Sequence, residues 1–355
     1  MSLLDHLKSR IITDGPLSIA DYMADCLLHP EFGYYTTRDP LGAQGDFITA
    51  PEISQMFGEL IGLSLAQAWM DQDSPAPFSL AELGPGRGTL MGDVLRATRG
   101  VPGFHAALQL HLIEASPTLR AAQKDALADY PVTWSDHVAD LPQQPLFLVA
   151  NEFFDALPVR QFIRQDMGWA EKRVGLTDGA LSFGLAEPTP QPALDHRLDD
   201  TKVGDLVEIC TTAHPIMTEV CTRIATHGGA ALVIDYGDWR SLGDTLQALR
   251  AHAPTDPLQD PGAADLTTHV DFEALTVAAA AANCAFSRIT PQGIFLERLG
   301  ITNRAQSLAA ALSGDALENL IAAHRRLTHP QEMGNLFKVM GLFPKALTPP
   351  PGLDV

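Results

Sequence analysis

The alternation of apolar and polar positions divides most of the chain into strand-like and helical segments. Short, mostly apolar segments predict five buried strands, at Phe78–Leu83, 110–113, 146–150, 231–234 and 337–343. A turn and helix from Gly84 and a second helix over 119–127 separate the first three runs. Because strands and helices alternate in this way, we expect βαβ units on one parallel sheet and an α/β fold.

The N-terminal 48 residues have a different pattern. Short helical segments are interrupted at Gly15-Pro16 and at His29-Pro30, and a glycine-rich loop follows. Thr49 then stands three residues before Glu52, with Pro51 in the first turn, which is a capping-box pattern. We therefore expect a long helix that begins at Thr49 and carries one strongly apolar face.

Two further regions read as insertions into the α/β core. Residues 159–210 alternate like antiparallel strands, whereas residues 271–328 are mostly rich in Ala and Leu with helical spacing. The expected organisation is an N-terminal helical cap (1–48), the first half of the core (49–158), a β-rich insertion (159–210), more core (211–245), a mostly helical insertion (246–330), and a last core strand and tail (331–355).

Composition and charge narrow the classes of partner. Of the 355 residues, 46% are hydrophobic and 24 Lys+Arg face 43 Asp+Glu, a formal net charge of −19. A field of that sign repels phosphate backbones and anionic membranes, so it disfavours nucleic acid and favours a basic partner or a cationic substrate. The four cysteines form no CxxC pair, and no secretory signal or membrane-length apolar run is present. We expect a soluble protein of a reducing compartment.

The most specific local motif is a glycine turn between a strand and a helix. It reads Glu82-Leu83-Gly84-Pro85-Gly86-Arg87-Gly88. Glycines permit a tight turn and close approach of a ligand, and the following helix N-terminus presents free N–H groups. A dinucleotide fingerprint would need Gly or Ala where Thr89 stands, so the pattern is ExGxGxG, like the first motif of class I S-adenosylmethionine-dependent methyltransferases.

Acids at the next strand ends complete a candidate cofactor site. Glu114 ends the strand 110–113 and offers two oxygens to two ribose hydroxyls, whichever nucleoside cofactor is bound. Asp136 follows the expected third strand near Trp134 and is a candidate acceptor for an adenine amino group. In this order and context, the turn and the two acids predict that a nucleoside cofactor binds.

A cluster of polar and aromatic residues follows the strand 146–150. Asn151, Glu152 and Asp155 are the candidate catalytic residues, because carboxylate and carbonyl oxygens grip a guanidinium or amine. Phe153 and Phe154 are candidate substrate-binding residues that would exclude water or stack on a planar cation. A plain strand-to-helix junction is the alternative, with one Phe in the core and Asp155 as a helix cap.

Three more residues are candidates for substrate binding. Asp235 and Tyr236 follow the strand 231–234 and should lie at the same sheet edge, although Asp-Tyr-Gly is also an ordinary turn. His269 lies two residues before Asp271 without further ligands at metal spacing, so we expect a loop or substrate-facing function and no metal.

Nearly the full length of the chain resembles the MidA-type methyltransferase family. The resemblance rests on GDFITAPEISQMFGE at 45–59, ELGPGRGTLMGDVLR at 82–96, IEASPTLRAAQ at 113–123 and VANEFFDALPVRQF at 149–162, with VIDYG, DPLQDPGAADLTTHVDF, QGIFLERLGI and MGNLFKVM further on. It implies a Rossmann-like class I methyltransferase sheet, S-adenosylmethionine as cofactor, and a place near the pocket for 45–54. Mitochondrial members of the family are protein arginine methyltransferases that act as respiratory complex I assembly factors.

By this resemblance, the expected activity is N-methylation of arginine on a partner protein, with symmetric dimethylation and a respiratory-chain subunit as the expected partner. The expected compartment is the cytoplasm of a bacterium or the mitochondrial matrix of a eukaryote. Two alternatives remain open at this point. One is a non-catalytic assembly factor that keeps the fold as a docking platform, and the other is an amino-methyltransferase acting on a nucleic-acid base.

Overall fold

The structure is a computed structural model, and it describes residues 2–37 and 49–355. The chain forms two compact units. The unit we call the core unit comprises Ile48–Phe154, Pro215–Trp239 and Phe272–Val355, and the one we call the accessory unit comprises Met1–Phe47, Asp155–His214 and Arg240–Asp271. The chain therefore leaves the core unit immediately after Phe154, in the middle of the predicted catalytic cluster.

Helices occur in both units. In chain order the α-helices are α1 (Leu3–Asp14), α2 (Ile19–Leu28), α3 (Tyr34–Thr37), α4 (Ala50–Ile53), α5 (Gln55–Met70), α6 (Thr89–Thr98), α7 (Phe104–Ala107), α8 (Pro117–Ala126), α9 (Ala213–His227), α10 (Phe272–Ala281), α11 (Gln292–Arg298), α12 (Ile301–Ala309), α13 (Asp315–Thr328) and α14 (Met333–Leu336). Short 3-10 helices cover Val138–Asp140 and Pro192–Arg197. None of the helices in the described ranges is long and apolar enough to cross a membrane.

Strands also occur in both units. In chain order they are β1 (Leu17–Ser18), β2 (Phe78–Leu83), β3 (Leu108–Ile113), β4 (Val132–Ser135), β5 (Leu146–Asn151), β6 (Arg160–Gln165), β7 (Gly168–Thr177), β8 (Ala180–Leu185), β9 (Leu206–Ile209), β10 (Gly229–Asp238), β11 (Gln247–Arg250), β12 (Ala253–Pro254), β13 (Asp265–Thr267), β14 (Val270–Asp271), β15 (Cys284–Phe286), β16 (Thr290–Pro291) and β17 (Phe337–Pro344). All five predicted strands are present: β2 has the predicted ends, and the ends of the other four differ from the prediction by at most four residues.

The sheet of the core unit has the order β15-β17-β10-β5-β2-β3-β4. Strands β10, β5, β2, β3 and β4 are parallel, and β17 runs antiparallel to β10. Every residue of β2 and β5 is buried, as expected for central strands that are covered on both faces. The predicted α/β fold with a parallel sheet is thus confirmed. Because neighbouring strands end in register, with Leu83 beside Ala150 and Asn151 beside Ile234, their following residues emerge at one edge.

The helix predicted from Thr49 does begin there, with Thr49 as the N-cap residue, but it is interrupted at Ser54 and does not continue as one long helix. Thr49 makes no capping hydrogen bond with its side chain, and the short helix α4 ends at Ile53. Ser54 then adopts an extended conformation, and its hydroxyl accepts a hydrogen bond from the Met56 N–H at the start of α5. The physical reason is that the Glu52 carboxylate accepts a hydrogen bond from Thr89 instead of returning to the Thr49 backbone, so the capping box does not form.

The accessory unit is built on antiparallel pairing. Its larger sheet has the order β1-β7-β6-β9 with β8 beside β7, and a smaller sheet has the order β12-β11-β13. The antiparallel strands predicted within 159–210 are confirmed. The region 246–330, predicted to be mostly helical, begins differently: residues 247–271 form β11 to β14, and helices begin at Phe272. The strands β11 to β14 are too short for their alternation of apolar and polar residues to be recognised in the sequence.

Candidate active site

The glycine turn follows β2 with a backbone that glycine makes possible. Gly84, Gly86 and Gly88 all have positive φ, at 59°, 53° and 83°. The Gly88 N–H donates to the Pro85 carbonyl at 2.7 Å, and Gly88 is the N-cap residue of α6. Residues with a side chain rarely adopt this conformation, so the glycines allow the tight turn between β2 and α6.

Position 84 also has no room for a side chain. A Cβ atom there would lie 2.9 Å from Cδ2 of Phe153, which is closer than real Cβ contacts. The half-buried Phe153 ring therefore lies directly against the glycine turn. It packs edge-on against Phe154, with ring centroids 5.2 Å apart. The predicted cofactor turn and the predicted substrate-binding aromatic residue are brought together by this contact.

Glu82 enters the turn from the end of β2 with a buried carboxyl group. The residue is 3% exposed, and its Oε2 has no hydrogen-bond partner among the described residues. Burial, and secondarily the charge of Glu114, raises the pKa of Glu82 to about 8, although a hydrogen bond from the Met91 N–H opposes the shift. A buried carboxyl oxygen without a protein partner calls for a hydrogen-bonding partner, which a bound ligand would supply.

Glu114 lies at the end of β3, as predicted, and its carboxylate is held in a fixed orientation. Oε1 accepts from the Ser116 N–H at 2.8 Å, and Oε2 accepts from Nε2 of Gln123 at 3.1 Å. Burial raises the pKa of Glu114, and these hydrogen bonds to the ionised form counteract the increase. An oriented acid beside a glycine turn fits a ribose with two hydroxyls.

Asp136 is placed more peripherally than Glu114. Its exposed carboxylate pairs with the Arg120 guanidinium at 2.6 Å, and Arg120 Nε also donates to the Glu114 carbonyl at 2.8 Å. Arg120 thus joins the ends of β3 and β4, a link that the sequence reasoning missed. The predicted contact of Asp136 with adenine stays a prediction.

The tip of β5 holds Glu152 in a strained conformation. Glu152 has a φ of 51°, uncommon for a residue with a side chain, and its N–H donates to the Ile234 carbonyl at 2.9 Å. Oε1 accepts from the Ala50 N–H at 3.2 Å and from Nδ2 of Asn151 at 3.1 Å. Asn151 is 8% exposed, and its Oδ1 has no partner among the described residues. Strain of this kind concentrates at functional sites.

Asp235 and Tyr236 lie at the same sheet edge but are buried. Asp235 is 0% exposed, and its carboxylate accepts from the N–H groups of Phe154 and Tyr236 at 3.0 Å each. Tyr236 packs edge-on against Phe337 in the core. The structure thus shows Asp235 fixing the backbone after Glu152, and substrate binding by these two residues stays a prediction.

The other two candidates belong to the accessory unit. Asp155 is 4% exposed, and its carbonyl accepts from the Thr268 N–H at 2.9 Å. His269 is half-buried, with Nε2 3.2 Å from Nε2 of Gln247 and its N–H donating to Thr245. Their proposed catalytic and substrate-binding functions remain predictions. The described residues contain no cluster of three or more His, Cys, Asp or Glu that would hold a metal ion.

The segment 45–54, which the family resemblance places near the pocket, is described from Thr49 onward, and 45–48 lie outside the described residues. Within it, Ala50 contacts Glu152 and Glu52 contacts Thr89. The described part of this segment therefore touches both the tip of β5 and the helix that follows the glycine turn, in agreement with that expectation.

These residues fit S-adenosylmethionine on structural grounds. Glu114 presents an oriented carboxylate where a ribose would lie, and the glycine turn leaves room for close approach. Oε2 of Glu82 is a buried polar atom without a hydrogen-bond partner among the described residues. S-adenosylmethionine has no pyrophosphate, so its site does not need the third glycine of a dinucleotide fingerprint. Thr89, which stands at that position, agrees with this.

Comparisons with known proteins agree with this assignment. Residues 60–290 match the model of a family of S-adenosyl-L-methionine-dependent methyltransferases. The chain is 37% identical to the mitochondrial protein arginine methyltransferase NDUFAF7 of Danio rerio, over 95% of this chain and 86% of that protein. The Homo sapiens protein of the same name is 36% identical, over 96% and 83%.

A crystal structure from Burkholderia thailandensis, bound to S-adenosyl-homocysteine, superposes with a TM-score of 0.83 at 29% identity. The alignment covers 99% of this chain and 92% of that one. Three findings support the same family assignment. They are the order of the sheet, the glycine turn with its oriented acid, and matches that extend over nearly the whole chain. The chain belongs to this family and is an S-adenosyl-L-methionine-dependent methyltransferase.

Proposed function

We propose that this chain methylates an arginine side chain of a partner protein. The observation that carries the proposal is the Glu152 carboxylate, which a strained backbone and two hydrogen bonds fix at the tip of β5, beside the glycine turn. Relatives at 36–37% identity are named protein arginine methyltransferases, which supports arginine as the acceptor.

The chemistry requires little more than positioning. The bound cofactor supplies an electrophilic methyl group for an in-line displacement. A guanidinium nitrogen attacks only if it is aligned and its positive charge is balanced while a proton is lost. The Glu152 carboxylate accepts charge-assisted hydrogen bonds from the guanidinium, and the orphan Asn151 Oδ1 provides one more acceptor. Phe153, against the turn, excludes water from the reacting nitrogen.

The finer expectations belong to the same proposal. We propose symmetric dimethylation, by resemblance to the mitochondrial family members, and a respiratory-chain subunit as the protein that presents the arginine. The four free cysteines suit a reducing compartment, the cytoplasm of a bacterium or the mitochondrial matrix of a eukaryote. The net charge of −19 favours a basic partner over nucleic acid.

The test compares Glu152→Gln with Glu318→Gln, a matched change at an exposed acid of α13. Each protein is incubated with radiolabelled S-adenosylmethionine and an extract from cells that lack the gene, and hydrolysed proteins are analysed for methylarginines. We expect wild type and Glu318→Gln to form symmetric dimethylarginine and Glu152→Gln to lose about a hundredfold or more in rate. S-adenosylhomocysteine affinity should stay within threefold of wild type in both variants. Methylation of another residue type by wild type would overturn the arginine assignment.

A further inference from the structure

Gln123, which donates to the Glu114 carboxylate, is a buried amide with two further polar contacts. It lies on α8, is 0% exposed, and makes three side-chain hydrogen bonds. Its Nε2 donates to the Gly86 carbonyl at 2.8 Å and to Glu114 Oε2 at 3.1 Å, and its Oε1 accepts from the Trp134 indole at 2.8 Å. One side chain thereby joins the glycine turn, the end of β3 and β4.

Trp134 fixes which way the amide points. An indole N–H is only a donor, so it must face the amide oxygen, and Nε2 is then directed at Gly86 and Glu114. Both partners on that side are pure acceptors when Glu114 is ionised. The reversed amide would set an oxygen against a carbonyl and a carboxylate. The orientation is therefore determined by the network itself.

We propose that Gln123 is a positioning residue that sets the affinity for the cofactor by locking the Glu114 carboxylate and the glycine turn into one arrangement. It touches neither the reacting atoms nor, in this arrangement, the ligand itself, because its three polar bonds are directed at protein groups. Its donation to Glu114 also stabilises the ionised carboxylate against the cost of burial. A ribose would then meet a preorganised acceptor.

The inference depends on cofactor binding and not on the identity of the acceptor. Failure of the arginine proposal would leave it intact, because its readout is the affinity for S-adenosylhomocysteine measured by calorimetry. A merely structural glutamine would lower stability without changing that affinity. The steady-state counterpart is a raised KM for S-adenosylmethionine with kcat nearly unchanged at saturation.

Gln123→Met keeps the volume and removes the polar bonds, and Gln292→Met is its matched control. Gln292 is also 0% exposed and in the core unit, but its Nε2 bonds the Leu327 carbonyl. We expect Gln123→Met to weaken S-adenosylhomocysteine binding about tenfold or more, and Gln292→Met to stay within twofold of wild type.

Trp134→Phe provides a second route if Gln123→Met does not fold. It removes only the indole donor, frees the amide to reverse, and should weaken binding about threefold. The proposal is overturned if folded Gln123→Met, or failing that Trp134→Phe, binds within 1.5-fold or so of wild type. It is equally overturned if Gln292→Met shows the same loss as Gln123→Met.

Discussion

Oγ1 of Thr89 donates a hydrogen bond of 2.6 Å to Oε1 of Glu52. Thr89 is the first residue of α6, directly after the glycine turn, and Glu52 lies in the short helix α4. The Ala50 N–H of that same helix donates to Glu152 at the tip of β5. Helix α4 thus ties the cofactor turn to the residue that we propose to hold the acceptor.

Thr89→Val should loosen this tie without changing the shape of the side chain. We expect the free energy of unfolding to fall by about 1 kcal/mol in urea titrations. Since α4 also positions Glu152, kcat should fall several-fold with a smaller change in KM for S-adenosylmethionine. Thr98→Val is the control, because Thr98 lies in the same helix and its hydroxyl donates to the Val94 carbonyl at 2.8 Å. If the kcat of Thr89→Val equalled that of wild type, α4 would not position Glu152 for the reaction.

Gly84→Ala should destabilise the protein through two separable effects. A positive φ of 59° costs an alanine about 1 kcal/mol, and its Cβ would collide with the Phe153 ring at 2.9 Å. Gly88→Ala has comparable strain at 83°, but its nearest contacts are at 3.6 Å. We expect losses of about 3 kcal/mol for Gly84→Ala and about 1 kcal/mol for Gly88→Ala in chemical denaturation. Equal losses would contradict the contact with Phe153.

The buried Glu82 should make stability fall as pH rises. Its pKa is about 8 in the folded chain against an ordinary value of 4.5, so between those values the folded state keeps a proton that the unfolded state has lost. Unfolding then releases a proton, and the free energy of unfolding decreases from about pH 4.5 to pH 8.

Glu82→Gln removes this titration. In urea titrations without cofactor, the free energy of unfolding of the variant should be equal to or lower than that of wild type near pH 4.5. As the pH rises to 8, the difference should change in favour of the variant by as much as a few kcal/mol. The opposite trend, or a difference independent of pH, would mean that Glu82 is ionised in the folded protein.

Much of the fold was predictable because its signals are local. The segments that form β2 and β5 are mostly apolar and have the length of a buried strand, and glycines at 84, 86 and 88 have few uses besides a tight turn. Glu114 was predicted for the same reason, since a strand end fixes where the next side chain emerges.

The failures and omissions involve partners distant in sequence. Thr49 and Glu52 match the sequence pattern of a capping box, but the Glu52 carboxylate accepts a hydrogen bond from Thr89, which is 37 residues further along the chain. Gln123 was missed, although a polar residue on the inward face of the helix predicted over 119–127 was the available signal.

The sequence by itself determined the alternating strands and helices of the parallel sheet, the glycine turn and the acids at strand ends, because backbone preference and hydrophobic period are read over a few residues. Only the tertiary structure decided which polar atoms meet. Three features depend on burial, because a buried polar atom needs a partner wherever the fold places one. They are the left-handed backbone of Glu152, the Asp235 carboxylate that accepts from two backbone N–H groups, and the hydrogen bonds by which Gln123 joins the glycine turn to Glu114.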